Sequence, residues 1–172
     1  MMTPSPDNQN LILDRAQIEQ KIVRMAYQIY EQNFEAQELV LAGIYPNGYA
    51  LAEMLAQKLQ DISKLQVQLL RVTLNKTAPQ QDPITLEPAT LSITDKVVVM
   101  VDDVLNTGKT LAYTLNSFLP QAPKKVEIAT LVDRHHPAYP VASTYTGYSL
   151  ATTLNEHILV NLEGENYGAY LS

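Results

Sequence analysis

Two adjacent carboxylates, Asp102 and Asp103, sit at the end of the apolar run Lys96–Val101 and just before Asn106-Thr107-Gly108-Lys109-Thr110. Read physically, this is a buried strand, a pair of acids, a small turn and the start of a helix. Ligands of open α/β sheets collect at the carboxyl ends of strands. Free backbone N–H groups at a helix start favour phosphate, Thr107 and Thr110 add hydroxyls, and Gly108 lets the backbone come close. The acids can accept hydrogen bonds from two sugar hydroxyls while the turn holds a 5′-phosphate, with a hydrated Mg²⁺ bridging the hydroxyls and a pyrophosphate. Their place ahead of a helix also suits simple capping. A P-loop is excluded, because it needs glycine five positions before Gly108, where this chain has Asp103.

The surrounding pattern alternates between helical and extended segments, which predicts an α/β fold with a mostly parallel central sheet. Ile18, Ile22, Met25, Ala26 and Ile29 recur at helical spacing, so a helix is expected over Asp14–Asn33, with Asp14 as its cap. Leu39–Ile44 reads as a buried strand, Tyr49–Gln60 as a helix and Gln66–Leu74 as a strand. Asn75–Ser92 holds Pro79, Pro83 and Pro88 with little periodicity, and reads as a functional lid or a simply mobile stretch, part of it a β-hairpin. Lys96–Val101 is the central strand, ended by the acids, and Thr107–Leu119 the next helix. Lys125–Val132, Ser143–Tyr148 and His157–Leu162 are further strands, the tail being read as a cap over the sheet. Residues 1–10 are expected to be a disordered lead-in and 11–172 one domain.

Composition narrows the functions. The chain has 172 residues and no cysteine, which excludes disulfides, thiolate metal sites and cysteine nucleophiles. His135 and His136 are adjacent and point apart on an extended chain, with no acid at metal-ligand spacing. Twelve basic residues stand against 18 acidic ones, net −6, which disfavours RNA or DNA as a general partner. Lys21 and Arg24 share one helix face and read as a solvated surface. With no apolar run of about 18 residues, the chain is expected to be soluble and cytoplasmic.

The string Val98–Thr110 closely resembles the phosphoribosyl pyrophosphate (PRPP) motif of type I phosphoribosyltransferases. From Ile12 to about Leu162 the chain looks most like the PyrR family, bifunctional pyrimidine-operon attenuators with uracil phosphoribosyltransferase activity. Leu41–Ile44 resembles that family's first core strand and Leu131–His136 its base-side loop. The resemblance implies a sheet flanked by helices, with a flexible lid and a small hood built from the termini. It implies PRPP and a nucleobase, most simply uracil, as substrates, a nucleotide product, Mg²⁺ as cofactor and a homodimer, with RNA as the alternative partner. By position, Asn106, Thr107, Gly108, Lys109 and Thr110 would hold the 5′-phosphate, and Asp102 and Asp103 the ribose. Lys76 on the lid would touch pyrophosphate, as would the backbone of Pro46-Asn47-Gly48. Asp133, Arg134 and His135 would lie beside the base. The chain departs from the family in three places. Thr-Arg-Gly becomes Pro46-Asn47-Gly48, Tyr-Arg-Asp-Asp becomes Asn75-Lys76-Thr77-Ala78, and Asp-Arg-Gly becomes Asp133-Arg134-His135. Loss of one guanidinium on pyrophosphate implies a turnover reduced ~100-fold or more.

Overall fold

The computed structural model describes residues 10–80 and 82–172. Most of the expected lead-in, residues 1–9, lies outside them. Its last residue does not behave as a lead-in: Asn10 opens strand β1 (Asn10–Leu13). Helix α1 (Arg15–Gln32) follows, and Asp14 caps it as the residue types require. The Asp14 carboxylate accepts from the Gln17 backbone, and the Gln17 side chain accepts from the Asp14 backbone.

The main sheet has six strands: β2 (Glu38–Ile44), β3 (Gln66–Thr73), β4 (Thr85–Glu87), β5 (Val97–Leu105), β6 (Lys125–Asp133) and β7 (Tyr145–Ser149). Their order is β4-β3-β2-β5-β6-β7, parallel except for the antiparallel β3–β4 pair. The expected mostly parallel α/β sheet is therefore present, and the β4 pairing supplies the hairpin expected within the lid segment. Helix α2 (Asn47–Ile62) covers one face together with α1, and α3 (Lys109–Phe118) covers the other. Alternate residues of β5 feed two cores: Val97, Val99 and Val101 pack under α1 and α2, and Val98 and Met100 pack under α3. That two-sided burial is why β2 and β5 read as unbroken apolar runs.

Two expectations need correction. The acids do not end the central strand. β5 continues through Asp102 and Asp103 to Leu105, because Val104 and Leu105 keep register with Val132 and Asp133 of β6. The strand expected at Ser143–Tyr148 does not belong to a cap; as β7 it is the edge of the main sheet. The cap is a separate three-stranded sheet of β1, β9 (Gly168–Leu171) and β8 (Ile158–Asn161), which joins both ends of the chain into a hood. Among the described residues no helix is long and apolar enough to cross a membrane.

Candidate functional site

The end of β5, the turn before α3 and the segment after β3 converge on one cleft. It encloses about 210 Å³ and is lined by Lys76 and the run Asp102–Leu111. Lys76 reaches it because Asn75 makes an Asx turn: its Oδ1 accepts from the backbone of Thr77 at 3.1 Å and of Ala78 at 3.2 Å. The Lys76 ammonium then donates to Asp102 Oδ1 at 3.3 Å. Asp102 is only 3% exposed. Burial, and next the negative charge of Asp103, hold its carboxyl well above the usual range, and Lys76 opposes them.

The neighbouring acid is held differently. Asp103 Oδ1 accepts from the Val104 backbone at 2.8 Å, and Oδ2 accepts from the Asn47 amide at 3.0 Å. Asn47 is the first residue of α2, and Pro46 is its N-cap, with no side chain bonded to the free N–H groups. A Cβ on Gly48 would lie 3.0 Å from Asp102 Cα, so only glycine lets the α2 end sit against the acids.

On the α3 side, Gly108 has φ +86°, a left-handed conformation that favours glycine, and serves as N-cap without a side-chain bond. The Thr107 carbonyl accepts from the backbones of Ala138 and Tyr139, and the Thr107 hydroxyl accepts from the Lys109 backbone at 3.3 Å. Thr107–Thr110 thus line the cleft where α3 begins without a side-chain cap, as an anion site requires.

A second cavity of about 240 Å³ adjoins the first, since Leu105, Asn106 and Thr107 line both. Asp133 and His135 line its far wall, but Arg134 between them does not. Arg134 is 7% exposed and works as a clamp. Its guanidinium donates to Asn106 Oδ1 at 2.7 Å, to the Thr152 hydroxyl at 2.9 Å and to the carbonyls of Thr153 and Glu156. Through Asn106 it braces the shared wall of the two cavities. His135 sits at φ +57°, with its backbone N–H on Asp133 Oδ1 at 2.9 Å. That conformation explains why glycine suits this position in similar sequences.

Sequence reasoning missed Arg71. It lies on β3, with its guanidinium 5.1 Å from the ring centroids of both Tyr45 and Tyr49, which bracket Pro46-Asn47-Gly48. Its Nε is buried and has no hydrogen-bond partner among the described residues. The only signal was a charged residue between Leu70 and Val72 in an otherwise β-forming run. Arg24, read with Lys21 as a solvated face, also makes a tertiary contact: its guanidinium donates to the carbonyls of Thr146 and Gly147 on β7.

Comparison with known proteins agrees with this geometry. A family model described as "Phosphoribosyl transferase domain" matches residues 8–162. The "Bifunctional protein PyrR" of Oceanobacillus iheyensis is 34% identical over 164 residues, covering 90% of this chain and 91% of the relative. The protein of that name from Staphylococcus saprophyticus is 35% identical, covering 91% and 93%. In fold, the chain is similar to a hypoxanthine-guanine phosphoribosyltransferase from Bacillus anthracis, with TM-score 0.75 at 20% identity, covering 95% and 96%. It is also similar to the hypoxanthine phosphoribosyltransferase of Trypanosoma cruzi, with TM-score 0.74 at 17% identity, covering 87% and 85%. With a family model over most of its length and such relatives end to end, the chain belongs to the phosphoribosyl transferase domain family and, within it, to the PyrR proteins.

Proposed function

We propose that the protein transfers the phosphoribosyl group of PRPP to a nucleobase, uracil, and releases pyrophosphate. One observation carries this reading: two adjoining cavities share the wall Leu105–Thr107, with the acids and Lys76 facing one and Asp133 and His135 facing the other. A sugar phosphate in the first cavity presents its reacting carbon to a base in the second.

The roles follow from the chemistry of each group. The amides of Thr107–Thr110 at the start of α3 take the 5′-phosphate. Asp102 and Asp103 accept the ribose hydroxyls and lie close to the positive charge that builds on the sugar as pyrophosphate leaves. The open N-terminus of α2 and the Lys76 ammonium meet the departing pyrophosphate. Closure of the Asn75–Ser92 segment excludes the water that would intercept the sugar cation.

The donor set fits Mg²⁺ carried by substrate. Among the described residues no group of three or more acids or histidines could hold an ion alone, and both Asp103 oxygens are already bonded. Asp102 and Asp103 would meet the ion through sugar hydroxyls and water, and when bound it supplies positive charge opposite the pyrophosphate.

Calorimetric titration of PRPP with Mg²⁺, repeated on Asp102→Asn/Asp103→Asn, tests the site. A pyrophosphate-release assay with uracil, hypoxanthine and guanine tests the base. The expected result is binding that the double variant loses, and release with uracil alone. Absence of PRPP binding would overturn the reading, and release with a purine instead would reassign the base. RNA is the alternative partner; of the three cations of helix α1, Arg15, Lys21 and Arg24, the last is engaged with a carbonyl of β7.

A further inference from the structure

Asn47 stands where similar sequences carry arginine, and its surroundings show what it does instead. A primary amide has two N–H donors. In Asn47 both come from one nitrogen, which lies 3.0 Å from Asp103 Oδ2 on β5 and 3.0 Å from the carbonyl of Val160 on β8. The donors are committed, and the remaining Oδ1 repels an anion. The side chain therefore has nothing to offer pyrophosphate.

We infer that Asn47 is a positioning residue for the transfer reaction: it aims the Asp103 carboxylate and latches the hood to the acid pair. The inference rests on the proposed role of Asp103 as a ribose ligand. Val160 is 3% exposed and packs in the same core as Leu13 and Ala169 of the hood strands, so its carbonyl is a fixed anchor. Asp103 is thus held at both oxygens by neutral donors, one backbone N–H and one amide. It is oriented without being neutralised. An arginine placed among these same partners would set a cation against Asp103 in place of the neutral amide. The latch also couples two parts of the chain far apart in sequence. Opening of β8 breaks one of the two bonds that orient the amide and so loosens Asp103.

Asn47→Ala and Asn47→Arg separate this role from that of a weakened pyrophosphate ligand. Each is to be measured by titration with PRPP and Mg²⁺, by pyrophosphate release and by hydrogen exchange of the β8 amides. Asn47→Ala is expected to weaken PRPP by about tenfold, the worth of one hydrogen bond to a charged acceptor. It is also expected to speed exchange across Ile158–Asn161 by at least about tenfold. Asn47→Arg is expected to weaken PRPP binding and slow turnover, although it restores the arginine of similar sequences. In an Asp103→Ala background, where the amide has nothing left to aim, adding Asn47→Ala should change PRPP affinity by less than about twofold. Faster turnover in Asn47→Arg, or exchange and affinity unchanged in Asn47→Ala, would overturn the inference. If the native protein fails to bind PRPP, the functional reading falls, and the exchange measurement alone still decides whether the latch exists.

Discussion

Gly48→Ala adds one methyl group, and its ideal position lies 3.0 Å from Asp102 Cα and 3.2 Å from Asp102 Oδ1, with the Val101 carbonyl oxygen closer still. Carbon atoms in contact prefer about 3.5–4.0 Å, so the gap must open by roughly 0.5–1 Å. The obstacles belong to β5, which is bonded in register to β2 and β6 and cannot retreat. The first turn of α2 must move away from the acids instead. Overpacking of this kind costs about 1–3 kcal/mol. Alanine recovers about 1 kcal/mol over glycine inside a helix, and the Gly48 backbone is not left-handed. The net loss is then about 0–2 kcal/mol, or a fall in Tm of at most about 8 °C for a chain of this size. Catalysis should suffer far more, because a misplacement of about 1 Å between the pyrophosphate loop and the ribose acids can cost about 100-fold. Thermal unfolding run beside initial rates of pyrophosphate release gives both numbers on one preparation. Gly164→Ala is the control: its φ is +74° and nothing lies within 4 Å of the added methyl, so stability falls by about 1–2 kcal/mol while rates stay native. A Gly48→Ala protein within about threefold of native kcat/KM would refute the placement of the α2 end as part of the site.

Gly108→Ala combines a φ of +86° with a collision against Val141, and calorimetry should show PRPP binding weakened by at least about tenfold. Arg134→Met keeps an apolar stem but removes the donors to Asn106, Thr152, Thr153 and Glu156. Two charged hydrogen bonds alone are worth about 3 kcal/mol, so Tm should fall by about 6–12 °C, and KM for the base should rise as the shared wall loosens. His135→Gly should raise stability by up to about 1 kcal/mol by removing a side chain from a left-handed backbone, as read from denaturant midpoints. Asp102 is expected to make stability fall as pH rises from the unfolded carboxyl value of 3.8 toward its raised folded value. Across that window the folded state holds the proton and the unfolded state does not. Denaturant midpoints taken over that range should therefore slope downward, and Asp102→Asn should flatten the slope.

The central motif was legible because its signals are local. An apolar run buried on both faces, two acids and a Thr-Gly-x-Thr turn announce a strand, a ligand edge and a helix start without reference to anything distant. The α1 cap was legible for the same reason, since Asp14 and Gln17 stand three positions apart. What the sequence hid depends on pairing across the fold. Asp102 and Asp103 were read as a strand terminus because acids disfavour β-structure, yet register with β6 carries the strand beyond them to Leu105. β1 and β9 are short, and neither could be recognised until they paired with each other. Arg134 looked like a base ligand from its position in the loop, whereas its direction is set by acceptors 18 to 22 residues further on. Asn47 looked like a lost cation because its partner on β8 lies 113 residues away.

These hidden contacts share a source. The segments after β6 grip the site at three points: Val160 holds Asn47, the Thr152–Glu156 carbonyls and hydroxyl hold Arg134, and the Ala138 and Tyr139 amides hold Thr107. Each grip ends on a residue one bond away from a proposed substrate contact: Asp103 through Asn47, Asn106 through Arg134, and the phosphate turn through Thr107. The motif supplies the chemical groups, but their aim is borrowed from the hood and the loops that lead to it. Rigid placement of such groups is what separates a site that binds from one that turns over. A change in the hood should therefore act on kcat before it acts on folding, even where it touches no residue of the motif.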